Sequence, residues 1–244
     1  MPPPPVALLL DFGGVLADAP GPFDPAPPEL VLRLYNLTGG ALTPGEIGRS
    51  LTRAEAELKA WRDRDEPAEL THEAVWRRFV TAGWPPSARE VVRLHASRLT
   101  RDWAYRPEWE LRPGIPEALH AARDAGLPLA VVSNTMSGAA HRDFLRRAGV
   151  GELFGAQIYS DEAGVRKPNP EMIWRATREL GVPTEGCWFV GDSYQRDVVC
   201  ARRADAGAAI LFPSGRTARE DPDAWPAPDV IVGDGYALRD LLRR

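Results

Sequence analysis

Cysteine is nearly missing from this chain: its 244 residues include only Cys187 and Cys200. Their spacing matches neither a zinc motif nor a redox pair, so two buried, reduced thiols are expected. A long hydrophobic run is missing too. Nothing approaches the ~20 apolar residues of a membrane span. The opening MPPPPVALLLD has no basic region and only a short apolar stretch, so no secretion signal is expected and a cytoplasmic location is. An excess of positive charge is also lacking. Lys and Arg total 30 against 34 Asp and Glu, a net charge of −4, which gives no pull toward nucleic acid or anionic membrane. Any phosphate-binding site must then be a local cationic feature. Histidine is scarce as well. His72, His95, His120 and His141 fall in helical stretches without ligand spacing and read as surface or packing residues.

A hydrophobic content of 44% with 26% charged residues is ordinary for a globular protein, and the length suits one domain with an insertion or two small domains. After four prolines, Val6 to Leu10 is a continuous apolar run ending at Asp11, which suits a strand buried on both faces of a parallel sheet. Gly13 and Gly14 then force a turn. Residues 20–28 form a proline-rich break, and from Glu29 to about Arg106 the periodicity is helical. Leu30, Leu34 and Leu37 share a face. Thr43-Pro44-Gly45-Glu46 is a capping box with proline at the first helical position, and Ile47, Leu51, Ala54, Leu58 and Trp61 continue from it as an apolar stripe. Ser87 to Glu90 repeats the box pattern. This segment predicts a small helical bundle, with most of its tryptophans in the core and one or two open to face a ligand.

From Pro113 onward the pattern alternates. Strands are expected at 129–132, 156–159, 187–190, 208–211 and 230–232. Helices are expected at 116–125, 137–148, 170–180, 195–204 and 236–242, with Gly126, Gly149 and Gly181 as stops. Repeated strand–helix units predict an α/β fold: a Rossmann-like parallel sheet with helices on both faces, interrupted by an inserted α-helical domain.

In such a sheet the working groups lie just past the carboxyl ends of the strands. Asp11 follows the first strand, and Ser133 and Asn134 the second. Arg166-Lys167-Pro168 comes soon after the third, and Gly191-Asp192 closes the fourth, with Asp197 five residues on. A carboxylate such as Asp11 can attack phosphorus and split hydrolysis into two easier displacements. Both partners are anionic, so a hard divalent cation bridging them would remove the repulsion, and Mg2+ suits carboxylate and phosphate oxygens. Asp192 and Asp197 offer further oxygens to that ion. Lys167 can neutralise charge that develops in the transition state, and Ser133 with nearby N–H groups can donate to phosphoryl oxygens. Taken alone, Asp11 also reads as a turn residue, Ser133-Asn134 as a strand-end turn, and Asp197 as a first-turn helix acid. Asp234 after Gly233 imitates the GD pair but reads as a helix cap.

DFGGVL, VVSNT, VRKPNPEM and WFVGDSYQRD, in this order, resemble the four motifs of the haloacid dehalogenase superfamily. The resemblance covers a core at 1–17 and 107–244, and the helical insert, 18–106, sits where that family carries its C1 cap. It implies a magnesium-dependent phosphoric monoester hydrolase that acts on a small phosphorylated substrate. Asp11 would be the nucleophile, and Ser133, Asn134 and Lys167 would hold the phosphate. Asp11, the Gly13 carbonyl and Asp192 would hold the metal, with Asp197 supporting them. The chain departs from the pattern at Gly13, where active phosphatases usually carry an Asp as general acid and base. That help is worth ~10²–10⁴ in rate, so a slow enzyme, a good leaving group or another donor such as Asp18 is expected. Three alternatives stand beside this reading. A binding protein with a degenerate site is supported by Gly13. A 2-haloacid dehalogenase needs no metal and resembles SSN rather than GD at the fourth motif. A mutase would want the acid at position 13. The substrate and the oligomeric state, a homodimer through the cap included, stay open.

Overall fold

The computed structural model describes residues 2–64 and 67–243. The outermost ends of the expected core, residues 1 and 244, and residues 65 and 66 of the expected cap lie outside the described residues. The chain opens with β1 (Ala7–Leu10) and a short β2 (Ala17–Asp18). Helices follow: α1 (Pro28–Leu37), α2 (Pro44–Arg62), α3 (His72–Val75), α4 (Pro86–Leu94) and α5 (Ala96–Ala104). β3 (Glu110–Leu111) pairs antiparallel with β2, so the helical segment leaves and rejoins the core through a two-stranded neck. The alternating half then runs α6 (Ile115–Asp124), β4 (Leu129–Ser133), α7 (Gly138–Arg147), β5 (Ala156–Tyr159), α8 (Ser160–Ala163), α9 (Glu171–Leu180), β6 (Cys187–Gly191), α10 (Val199–Arg203), β7 (Ala208–Leu211), β8 (Val230–Ile231) and α11 (Gly235–Leu242).

Six strands form one parallel sheet in the order β5-β4-β1-β6-β7-β8. Strand order reverses direction about β1, and a crevice opens there beyond the carboxyl ends of the strands. Successive side chains of β1 point to opposite faces. Leu8 and Leu10 join Phe12, Val131, Trp188 and Ile210 in one apolar layer under α6, α7 and α11. Ala7 and Leu9 join Val132, Phe189 and Leu211 in the other, under α9 and α10. Both cysteines are buried and unbridged.

The inserted helices have an apolar cluster of their own, built from Leu30, Leu34, Ile47, Leu51, Trp76 and Trp103 among others. The Thr43–Glu46 capping box forms with both of its bonds. The second expected box does not. α4 starts at Pro86, ahead of Ser87, with no side-chain cap, and Glu90 bonds Arg93 instead. Proline at the first helical position sets φ for the helix and needs no N–H partner, so the start moved upstream of the serine. Asp234 caps α11 by accepting from the Ala237 N–H.

Candidate active site

Asp11 stands directly after β1, the central strand. Its Oδ1 accepts a 2.7 Å hydrogen bond from the Phe12 N–H and lies 3.0 Å from Lys167 Nζ. The same ammonium lies 2.7 Å from Asp197 Oδ1 and donates to the Val132 carbonyl at 2.9 Å. The Lys167 side chain is only 1% exposed, so these partners decide its charge. Burial pulls its pKa down, and the two carboxylates more than offset this, leaving it above the ordinary lysine value. Lys167 therefore remains a cation in a dry place, where its charge acts strongly.

Asp192 follows β6, beside Asp11. One ligand oxygen from each of Asp11, Asp192 and Asp197 can be chosen so that all three lie within 4.8 Å of one another. Burial first, then the charges of Asp197 and Asp11, push the Asp192 carboxyl up to about 7. Asp192 Oδ1 is buried and accepts no hydrogen bond, although Arg216 Nε stands 3.2 Å away. Oxygen donors at this spacing with an unsatisfied buried lone pair fit a hard divalent cation such as Mg2+. Asp197 is differently engaged. Its Oδ2 accepts from the Asp192 and Ser193 N–H groups at 2.9 and 3.0 Å, and its Oδ1 faces Lys167. Asp197 thus ties the lysine to the turn that carries Asp192.

Two glycines permit this packing. Gly14 has φ +77°, and a Cβ there would fall on the Asp192 carboxylate. A Cβ on Gly191 would fall on Asp197. Gly13 differs: its φ is ordinary and a Cβ would meet nothing within 4 Å, so residue 13 leaves open space on the cavity wall.

Ser133 ends β4 and is buried beside the Asp11 loop. Asn134 spends its carboxamide on the main chain of Lys167, with Oδ1 accepting from its N–H at 2.8 Å and Nδ2 donating to its carbonyl at 3.0 Å. That geometry makes Asn134 a brace for the lysine loop rather than a free donor toward a ligand.

Several contributors carry no sequence motif. Ser214 Oγ donates to Asp192 Oδ2, and Thr217 Oγ1 donates to the Asp192 carbonyl. Arg112 ties the Gly14 carbonyl to that of Pro213. The loop after β7 could have been found by the same strand-end rule that finds Asp192. His141 is buried and stacked on Phe12 at 3.7 Å between ring centroids, and burial pulls its pKa down to about 3, so it is a neutral packing ring. A cavity of about 510 Å³ opens above the site, with Gly13, Asn134 and Asp192 on the core side and Glu55, Arg62 and Ala104 on the helical side. Asp18 and Trp109 also line it.

The family model for haloacid dehalogenase-like hydrolases matches residues 7–205. A phosphoserine phosphatase from Thermus thermophilus is 32% identical over 86% of this chain and 89% of its own length. A glyceraldehyde 3-phosphate phosphatase from Methanopyrus kandleri is 36% identical over 54% of this chain and 56% of its own length. Among solved structures, a HAD phosphatase from Thermococcus onnurineus superposes with a TM-score of 0.62 at 20% identity, covering 97% of each chain; at that identity the likeness speaks for the fold alone. Matched over more than half its length by the family model, the chain belongs to the haloacid dehalogenase-like hydrolases.

Proposed function

We propose that the protein is a magnesium-dependent phosphatase acting on a small phosphorylated metabolite through an aspartyl-phosphate on Asp11. The observation that carries this reading is the Asp11–Lys167–Asp197 chain, in which the buried ammonium lies 3.0 Å from one carboxylate and 2.7 Å from the other, with Asp192 beside it and an oxygen of each of the three carboxylates within 4.8 Å of the others. Relatives named as phosphatases of small esters support the reaction class.

In this reading Asp11 Oδ1 is held by Phe12 N–H and Lys167. Oδ2, the oxygen without those donors, attacks phosphorus as the ester oxygen departs. Lys167 offsets the charge of the carboxylate and of the phosphoryl oxygens, and Ser133 Oγ with the adjacent N–H groups donates to those oxygens. Asp11, Asp192 and the Gly13 carbonyl would hold the metal, with Asp197 behind them. Bound Mg2+ supplies positive charge that screens the repulsion between carboxylate and phosphate. Water then attacks the aspartyl-phosphate and releases inorganic phosphate. The leaving oxygen needs a proton that Gly13 cannot give, so esters with acidic leaving groups react faster. The helical roof restricts the site to small substrates by excluding bulky ones.

The test is inorganic phosphate release from a panel of small phosphate esters, with magnesium or with EDTA, for wild type and Asp11→Asn. Magnesium-dependent release that Asp11→Asn abolishes is the expected result. A folded protein that releases nothing from any ester would instead favour a phospho-ligand-binding protein with a degenerate site.

A further inference from the structure

Between α2 and α3 the helical insert reaches back to the core. Among the described residues of this stretch, Asp63 pairs with Arg196, Glu69 with Arg166, and His72 with the Met136 carbonyl and Asp161. The first two of these contacts adjoin the floor of the active site in sequence: Arg196 precedes Asp197, and Arg166 precedes Lys167. They are not equally built. Asp63 is half-exposed and is shared with Lys59. Arg166 and Glu69 are buried, with side chains 6% and 5% exposed, and Glu69 Oε2 lies 3.2 Å from the guanidinium. Glu69 Oε1 accepts from the Leu70 N–H at 3.2 Å, which orients the carboxylate, and Leu70 packs against the apolar cluster of the insert. Burial pulls the Arg166 pKa down to about 10, and Arg62 and Arg196 add to this; of the two carboxylates that oppose it, Glu69 acts more strongly than Asp63. Arg166 therefore stays a cation, with Glu69 as its main support.

Neither Glu69 nor Arg166 lines the cavity above Asp11. What the pair holds is the chain that carries the lysine. On one side Asn134, at the end of β4, bonds both the N–H and the carbonyl of Lys167. On the other side the Arg166 side chain ties the preceding residue to the insert. A buried ion pair makes a stiff tie, because parting its members leaves an uncompensated charge away from water. The Lys167 ammonium stands 3.0 Å from Asp11 and 2.7 Å from Asp197, and a misplacement of ~1 Å can cost about 10²-fold in rate. We propose that Glu69, acting through Arg166, is a positioning residue for Lys167: it registers the lysine loop against the helical insert, so that the ammonium is in place when insert and core are joined at this pair. The inference rests on the phosphatase reading for the reaction that Lys167 serves.

The experiment separates positioning from mere support of the fold. kcat and KM are measured for an aryl phosphate at saturating magnesium, and each variant is also unfolded in urea. Glu69→Gln keeps the shape of the side chain and removes its charge. It should lower kcat by about tenfold or more and leave KM within about twofold, since the pair lies off the cavity wall. Replacing both partners, Glu69→Leu with Arg166→Met, removes the two buried charges together and should recover the stability that Glu69→Gln loses. kcat should stay low in this double variant, because the tie is gone. His72→Gln also cuts a contact between insert and core, but one that adjoins neither Lys167 nor Asp197, and it should keep kcat within about twofold of wild type. Where Glu69→Gln fails to fold, the double variant decides. A folded Glu69→Gln with wild-type kcat, a kcat that returns with stability in the double variant, or an equal loss in His72→Gln would overturn the assignment and leave the phosphatase reading standing. A wild type that releases no phosphate from any ester would end both.

Discussion

The floor and the roof of the cavity are built on opposite principles. On the floor each charge is held by another. Lys167 bridges Asp11 and Asp197, Asp197 binds the turn of Asp192, and Ser214 and Arg216 close on Asp192 from the far side. On the roof, Glu55 and Arg62 face the same space and oppose each other's charge with no hydrogen bond among the described residues. A floor whose cation and N–H donors already stand in place is pre-organised, because those donors need not be gathered at the moment of reaction, and the buried Asp192 Oδ1, which accepts no hydrogen bond, is left for a metal ion. On the proposed phosphatase reading the floor carries the chemistry, and the roof can be altered without touching the Asp11–Lys167–Asp197 chain.

The largest effect should come from the floor. Lys167→Met removes the cation from between two carboxylates, and kcat on an aryl phosphate should fall by about 10²–10³-fold; retention of most activity would show that Lys167 is not the charge the reaction depends on. Next comes the contrast between the two adjacent glycines. Gly14→Ala forces a side chain into the left-handed region and onto Asp192, and should lose about 1–2 kcal/mol or more in urea denaturation. Gly13→Ala should stay within about 0.5 kcal/mol of wild type. Gly13 supports a further substitution in the direction of gain. Open space at its Cβ position allows Gly13→Asp, and the restored acid should raise kcat by about tenfold or more on alkyl esters, and less on aryl esters that leave unaided.

The smallest effect lies where the two layers meet. His72 of the helical insert bonds the Met136 carbonyl at 2.9 Å and Asp161 Oδ2 at 3.1 Å on the core. The hydrogen bond to Asp161 raises the His72 pKa above the ordinary histidine value of about 6.5, against burial. A raised folded-state pKa gives stability that is fully present below 6.5 and is lost as pH rises through the higher folded value. The stability gap between wild type and His72→Gln should therefore be widest on the acid side, at about 1 kcal/mol, and narrow toward alkaline pH. A gap that does not vary with pH would mean that imidazolium charge plays no part in the contact.

The floor was largely legible because its residues occupy the first positions after strands whose apolar runs are unmistakable. Leu8 to Leu10 point straight at Asp11, Val131 and Val132 at Ser133, and Phe189 and Val190 at Gly191-Asp192. Lys167 needed the motif, since it follows β5 by several residues and a helical turn. The role of Arg112 was hidden, because a contact between residues 14 and 112 leaves no periodic trace in the chain, whereas the strand-end rule points to the loop of Ser214 and Arg216 without saying which of its side chains reach Asp192. The roof was hidden for a different reason. Glu55 and Arg62 follow Leu51 and Leu58 by four residues each, so they flank the apolar stripe of Ile47, Leu51, Ala54 and Leu58, which packs inward as expected. Periodicity does not tell such a flank from the edge of a solvent-facing side, and only the placement of α2 turns it into a cavity wall. The two-residue strands β2 and β3, which form the neck, are too short to show any alternation.

The central claim is that Asp11 carries the phosphoryl group. Turnover of an aryl phosphate with magnesium, quenched in acid and followed by peptide mass analysis, tests it most directly. The account predicts a phosphoryl adduct on the peptide that contains Asp11, absent from Asp11→Asn, which should also be inactive. Sustained turnover with no adduct on that peptide, continuing in Asp11→Asn, would contradict it.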